Sequence, residues 1–217
     1  DSTREFFAQH QWKDVLGTSS VIRRVVAEGK TLAEMEDPVA LIGENGTGKS
    51  FFAQCIHNGS PRAKKPYIVI NAGTIAQQDA ARVLFGSDDG AKPRMGLFEL
   101  AGGGTIALQG LGDASEAFFS CLRQVLLQHS YFAVGGVTTI PFSARLLALV
   151  TPEERRRIPR DLWDQLSVFS LNLPLLKDRQ EDVSTLFRFF LLRESILMPP
   201  RTQKELEEIL SFYSWPA

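Results

Sequence analysis

Apolar residues in the first 175 positions fall into short runs separated by longer stretches of mixed character. The runs are 38–43 (PVALIG), 66–72 (PYIVINA), 104–108 (GTIAL), 146–151 (LLALVT) and 168–173 (VFSLNL). Near-continuous apolar character over five to seven residues, bounded by Gly, Pro or polar residues, suits a strand buried on both faces. Between the runs, 21–36, 50–58, 77–85 and 115–129 carry apolar residues at helical spacing. Short strands alternating with helices predict βαβ units and a parallel sheet of about five strands, an α/β fold. After Pro174 only helical patterns follow, at 181–198 and 202–213. The shift predicts an α/β domain over 17–175, the start of a small helical domain over 176–217, and an N-terminal segment or linker over 1–16.

The composition narrows the class. The chain has 217 residues, 44% hydrophobic and 23% charged, which excludes wholesale disorder and fibrous sequence. Lys plus Arg number 24 against 25 Asp plus Glu, so no overall positive field attracts nucleic acid. Any DNA contact is expected from a local patch or from a domain outside this chain. Cys55 and Cys121 lie far apart without C-x-x-C spacing, which predicts reduced, buried thiols and no zinc site. The longest uncharged stretch, 124–144, is interrupted by Gln128, His129, Ser130 and Pro141, so no membrane partner is expected. The chain begins at Asp1 and shows no signal peptide, which predicts a cytoplasmic location and a segment excised from something longer.

The sharpest signal is Gly43-Glu44-Asn45-Gly46-Thr47-Gly48-Lys49-Ser50, which fits G-x-x-x-x-G-K-[ST] between a strand and a helix. Glycines let backbone N–H groups curl around an anion, and the following helix N-terminus adds partial positive charge. Lys49 is placed to reach the outer phosphates, and the Ser50 hydroxyl to ligate Mg²⁺. Residues 44–50, with Phe51 behind them, are therefore the expected phosphate site for ATP or ADP.

A working P-loop hydrolase also needs an acid at the end of a second strand to hold Mg²⁺, and a neighbouring group to orient water. Strand 104–108 runs into Gln109-Gly110, an amide and a glycine. The next carboxylates, Asp113 and Glu116, have the spacing of a helix cap and its capping-box partner, and are read as structural. No catalytic residue is assigned.

The chain resembles the AAA+ central domain of bacterial sigma-54-dependent transcription activators, the enhancer-binding proteins of NtrC-like type. The resemblance rests on ordered matches: Leu16-Gly17-Thr18-Ser19, the GENGTGKS loop with Ile56-His57, Gly59-Ser60-Pro61-Arg62, Leu84-Phe85-Gly86, Gly90-Ala91, Gly96-Leu97-Phe98-Glu99, Gly103-Gly104-Thr105, Asp161-Leu162, Leu173-Pro174-Leu175-Leu176 with Arg179, Glu181-Asp182, and Tyr213-Ser214-Trp215-Pro216. It implies a P-loop ATP-binding domain followed by a helical lid, here truncated, with adenine near Val15, Leu16 and Gly17 and phosphates on the loop beginning at Gly43. It also implies self-association as a dimer or ring, RNA polymerase as a partner, and flanking regulatory and DNA-binding domains.

Departures from the family pattern limit these implications. The family's Gly-Ala-Phe-Thr-Gly-Ala loop, which touches the sigma factor, is shortened to Gly90-Ala91-Lys92-Pro93-Arg94-Met95-Gly96. Its acidic pair on the second strand becomes Gln109-Gly110, and its Thr-Asn sensor reads Thr151-Pro152. Its two ring-interface arginines fall on Pro159 and Gln165, with Arg160 one position out of register, and Asn71 persists without the glutamate it would restrain. A positioned base contributes about 10²–10⁴-fold in rate, and an arginine finger about 10³–10⁵-fold. The expected function is thus an ATP- or ADP-binding domain of a transcriptional regulator, degenerate in hydrolysis and lacking the usual sigma-54 contact, with Mg²⁺ weakly held through Ser50. Two other readings stay open: an active ATPase that recruits Asp113, Glu116 or Arg160, and a scaffold that binds no nucleotide. His57, Phe118-Phe119 and the phenylalanines of 187–190 are read as packing residues, and Glu153-Glu154-Arg155-Arg156-Arg157 as a solvated helical face.

Overall fold

The computed structural model describes residues 7–88, 93–213 and 215. Along the chain run α1 (Ser20–Ala33), β1 (Val39–Ile42), α2 (Lys49–Asn58), β2 (Tyr67–Asn71), α3 (Ala80–Phe85), β3 (Gly86–Ser87), β4 (Arg94–Met95), α4 (Leu97–Ala101), β5 (Thr105–Gln109), α5 (Glu116–Gln128), β6 (Ser130–Phe132), β7 (Thr139–Pro141), β8 (Arg145–Val150), α6 (Pro152–Arg157), α7 (Arg160–Leu166), β9 (Phe169–Asn172), α8 (Val183–Arg193) and α9 (Pro200–Phe212). The five expected strands form one sheet in the order β2-β5-β8-β1-β9, with every pairing parallel.

Alternation along each strand explains the unbroken apolar runs. Ala40, Ile68, Ile70, Ile106, Leu108, Leu146, Ala148 and Val150 face one core, which α3, α4, α5 and α7 close. Val39, Leu41, Tyr67, Ala107, Leu147, Leu149 and Leu171 face the other, under α1 and α2. A strand covered on both sides cannot offer a polar residue to either, so its sequence reads as continuously apolar. At the lower edge of the sheet the buried Arg145 guanidinium donates to the carbonyls of Leu32 (2.7 Å), Ala33 (3.3 Å) and Asp37 (3.0 Å), placing a cation on the C-terminus of α1.

The details correct several expectations. In 77–85 the first three residues, Gln77–Asp79, form a 3-10 turn and α3 starts only at Ala80. The cap of α5 is Ser115, whose extended backbone directs its hydroxyl to accept from the Phe118 N–H (3.3 Å). Asp113 instead ends a 3-10 turn and pairs with Arg157 (2.6 Å), while Glu116 pairs with Arg123 (2.7 Å). Residues 181–182 belong to the turn Leu176–Asp182, and the helix expected to reach 198 stops at Arg193, before the left-handed Ser195 (φ 56°). Phe189 and Phe190 are 42% and 50% exposed and pack edge-to-face on each other, 5.5 Å between ring centres. Phe118 and Phe119 are buried, as are the unpaired Cys55 and Cys121. His57 is packed as expected, its Nδ1 2.9 Å from the Thr105 hydroxyl. Two short antiparallel ladders, β3 with β4 and β6 with β7, carry no readable periodicity. The contracted segment Gly90-Ala91-Lys92 lies outside the described residues. Among the described residues no helix is long and apolar enough to cross a membrane.

Candidate functional site

At the top of β1 the chain leaves the sheet as a tight loop and enters α2. Gly43 starts it, its N–H donating to the Val150 carbonyl (3.1 Å). A Cβ at Gly43 would fall 2.6 Å from the Thr47 hydroxyl, so the glycine is needed for the loop to close. Thr47 donates its hydroxyl to the Glu44 carbonyl (2.8 Å), and Gly46 (φ 81°) and Gly48 (φ 98°) take left-handed conformations. Lys49 opens α2 and folds its ammonium back onto the carbonyls of Gly43 (2.8 Å) and Glu44 (3.0 Å). Burial holds its pKa below the usual lysine value, and the carboxylates of Glu154 and Glu44 oppose that shift.

Two cavities meet at this loop. The first, about 680 Å³, is lined by Asn45, Gly46, Gly48, Lys49, Ser50 and Phe51 from the loop and α2, by Asn71 from β2, and by Gln109, Gly110, Asp113 and Glu154. The second, about 620 Å³, lies between Val15, Leu16, Gly46, Thr47, Gly48 and Phe51 on one side and Leu186, Phe189, Phe190 and Arg193 of α8 on the other. The two differ in character: the first is lined mainly by amides, a hydroxyl and charged groups beside Phe51 and Leu149, the second mainly by aromatic and aliphatic side chains together with Lys13, Asp14, Arg179 and Arg193.

The structure therefore brings together most of the residues expected from sequence. Val15 and Leu16 flank the apolar cavity, and Asn45, Gly46, Gly48, Lys49, Ser50 and Phe51 line the polar one. Gly43 and Glu44 line neither, and act through the carbonyls that hold Lys49. Gly17 (φ 135°) also lines neither. A Cβ there would lie 2.6 Å from the Asp182 carboxylate, which accepts from Thr18 N–H (2.6 Å), Ser19 N–H (2.9 Å) and the Ser19 hydroxyl (2.7 Å).

At the end of β5, Gln109 donates its amide to the Ser50 hydroxyl (2.9 Å). The next residue, Gly110, is left-handed (φ 63°), and a Cβ on it would sit 2.5 Å from Asn71 Oδ1, so the Asn71 carboxamide covers the place a side chain would occupy. Pro159 precedes α7 and Gln165 lies within it, while the Arg160 side chain is 94% exposed.

Several lining residues are not assigned to the site by the sequence. His10 borders both cavities and lies against Phe51 (4.6 Å between rings). Arg179 lines the second, with a buried Nε that has no hydrogen-bond partner among the described residues. Glu154, read as part of a solvated face, points into the polar cavity because α6 is capped reciprocally: Thr151 Oγ1 accepts from Glu154 N–H (3.1 Å) and Glu154 Oε2 from Thr151 N–H (2.7 Å). The T-x-x-E pattern behind β8 was the available signal.

The sigma-54 interaction domain family matches residues 15–172. The Nif-specific regulatory protein of Rhodobacter capsulatus is 37% identical over 189 residues, 82% of this chain and 33% of that protein. The HTH-type transcriptional regulatory protein TyrR of Salmonella typhimurium is 31% identical over 224 residues, 99% of this chain and 42% of that protein. The chain thus spans about a third of the first relative's length and less than half of the second's. NtrX from Brucella abortus, crystallised in complex with ATP, superposes with a TM-score of 0.81 at 25% identity, covering 94% of this chain and 49% of that one. The same protein has been crystallised with ADP.

Proposed function

The chain belongs to the sigma-54 interaction domain family, and from that premise we propose that it is the ATP- or ADP-binding AAA+ module of a transcriptional regulator. The observation that carries this reading is the loop itself. Gly46 and Gly48 are left-handed, and Lys49 is held by two loop carbonyls that a phosphate can displace, beside a cavity of about 680 Å³. Residues 44–50 with Phe51 take the phosphates. Val15 and Leu16, with Gly17 next to them in the chain, form the adenine side, where the second cavity offers an apolar slot beneath α8. The complexes of NtrX with ATP and ADP support the choice of ligand. On this reading 17–175 is the nucleotide domain and 176–217 the beginning of its lid.

Mg²⁺ suits part of this donor set: the Ser50 hydroxyl is a hard oxygen ligand, and phosphate oxygens and water complete an octahedron. Bound Mg²⁺ would screen the charge on the phosphates. The chain's own groups orient and hold the triphosphate, but β5 ends in an amide and is followed by a glycine where a charge and a base are required. With Pro159 and Gln165 at the interface positions as well, turnover is expected near background and occupancy becomes the signal. Occupancy would set self-association or the action of a DNA-binding domain elsewhere in the protein, and RNA polymerase would be met by a route other than the family's usual sigma-54 loop.

A second reading, an active ATPase with replacement groups, is favoured by the two carboxylates, Asp113 and Glu154, in the polar cavity. Of the replacements foreseen from sequence, Asp113 reaches the cavity, Glu116 is paired with Arg123 and Arg160 is exposed. Titration with a fluorescent ATP analogue tests the main reading: binding should be saturable and should weaken about 100-fold in Lys49→Ala, the loss of a charge-assisted contact to phosphate. Equal binding by both proteins would refute it.

A further inference from the structure

A divalent cation on the outer phosphates is held best when a protein carboxylate faces it, and β5 brings none. The polar cavity nevertheless receives carboxylates from elsewhere, and the two are not equivalent. Asp113 is engaged with Arg157 at 2.6 Å, and their side chains are 65% and 47% exposed. Glu154 is half-buried and, among the described residues, forms no ion pair at contact distance. Its Oε2 is held by the Thr151 N–H at 2.7 Å, which fixes the rotamer, and the residue lines the cavity. The chain also makes room for it: a Cβ at Gly112 would lie 2.8 Å from Glu154 Cγ and 3.0 Å from its Cα, so only glycine lets the first turn of α6 come this close.

A carboxylate fixed beside Lys49 and Ser50 repels triphosphate oxygens unless a cation stands between them. Building on the nucleotide reading above, the geometry points to Glu154 as the carboxylate that faces nucleotide-bound Mg²⁺, directly or through coordinated water. It supplies from α6 the charge that β5 lacks, and it makes tight nucleotide binding conditional on a divalent cation.

Isothermal titration of ATP into the domain, with Mg²⁺ and with EDTA, tests this. The unmodified protein should bind at least about tenfold more tightly with Mg²⁺. In Glu154→Gln the ratio should shrink to within about twofold, chiefly because affinity in EDTA rises once the repelling charge is gone. Glutamine still accepts from the Thr151 N–H and preserves the capping box, so the melting temperature should be unchanged and a purely structural role would leave the ratio alone. Asp113→Asn should keep the unmodified ratio. A ratio unchanged in Glu154→Gln, or one that collapses in Asp113→Asn instead, overturns the assignment while leaving nucleotide binding intact. Absence of saturable ATP binding by the unmodified protein overturns the nucleotide reading itself.

Discussion

The Gln109 amide donates to the Ser50 hydroxyl across 2.9 Å, tying the end of β5 to the first turn of α2 at the point where a carboxylate would face a metal. The bond is exposed and neutral, so its loss is worth about 0.5–1.5 kcal/mol at most. Gln109→Ala should therefore change ATP affinity by no more than about tenfold and leave phosphate release near background, as in the unmodified protein. A coupled phosphate-release assay checks both. Turnover that is readily measured, survives in Gln109→Ala and disappears in Lys49→Ala would favour the active-ATPase reading.

His57 gives the fold a defined response to acid. It is fully buried beside Thr105, and burial pushes its pKa down to about 4, with the nearby Arg145 and Arg62 lowering it further and a backbone contact to Lys65 opposing. Unfolded histidine titrates near 6.5, so between about 6.5 and 4 the unfolded chain binds the extra proton and stability falls as pH falls. Above pH 6.5 the contribution is complete. Urea unfolding of the unmodified protein and of His57→Gln should show their stability difference shrinking by about 3 kcal/mol between pH 7 and pH 4. A constant difference would mean that His57 does not titrate in this range.

Which features were legible in the sequence follows from the distance over which each is determined. Leu146, Leu147, Ala148, Leu149 and Val150 are all apolar because successive residues enter opposite cores, so β8 announces itself locally. The loop 43–50 is equally local, since its glycines and Lys49 are dictated by its own backbone. Glu154 is different. Its cap is visible in four consecutive residues, but its approach to Lys49 depends on Gly112, 42 positions earlier, and the loop lies over 100 positions away. Arg179, Phe189 and Arg193 reach the second cavity only because the turn 176–182 folds back onto the start of α1, which no periodicity reports. The sequence does not decide between Asp113 and Ser115 as the cap of α5, because both lie within three positions, and backbone geometry selects Ser115.

Trp12 seats between two glycines, and substituting one of them sets propensity against packing. A Cβ at Gly29 in α1 would lie 2.5 Å from the Trp12 ring, and one at Gly59 would lie 2.5 Å from its Nε1. In Gly29→Ala the helix gains about 1 kcal/mol in propensity, while displacing a half-buried indole costs about 1.5–3 kcal/mol. The net expectation is a loss of about 1 kcal/mol together with a red shift in tryptophan emission as Trp12 leaves its notch. Unchanged emission would show that the ring accommodates a methyl group.

Asp182 fastens the helices that follow the sheet to the segment that precedes it. The residue is 0% exposed and accepts from Thr18 N–H, Ser19 N–H and the Ser19 hydroxyl at 2.6, 2.9 and 2.7 Å. Asp182→Ala strands these donors away from water, at a cost of about 3 kcal/mol, or about 10 °C in melting temperature for a domain of this size. Because α8 begins at the next residue and supplies Leu186, Phe189 and Arg193 to the cavity opposite Val15 and Leu16, the effect should not remain one of stability alone. Amides of 183–193 should exchange faster with deuterium, and ATP affinity should fall about tenfold while the Lys49 loop stays intact. Faster exchange without weaker binding would separate the apolar cavity from the nucleotide, leaving the loop alone responsible for recognition.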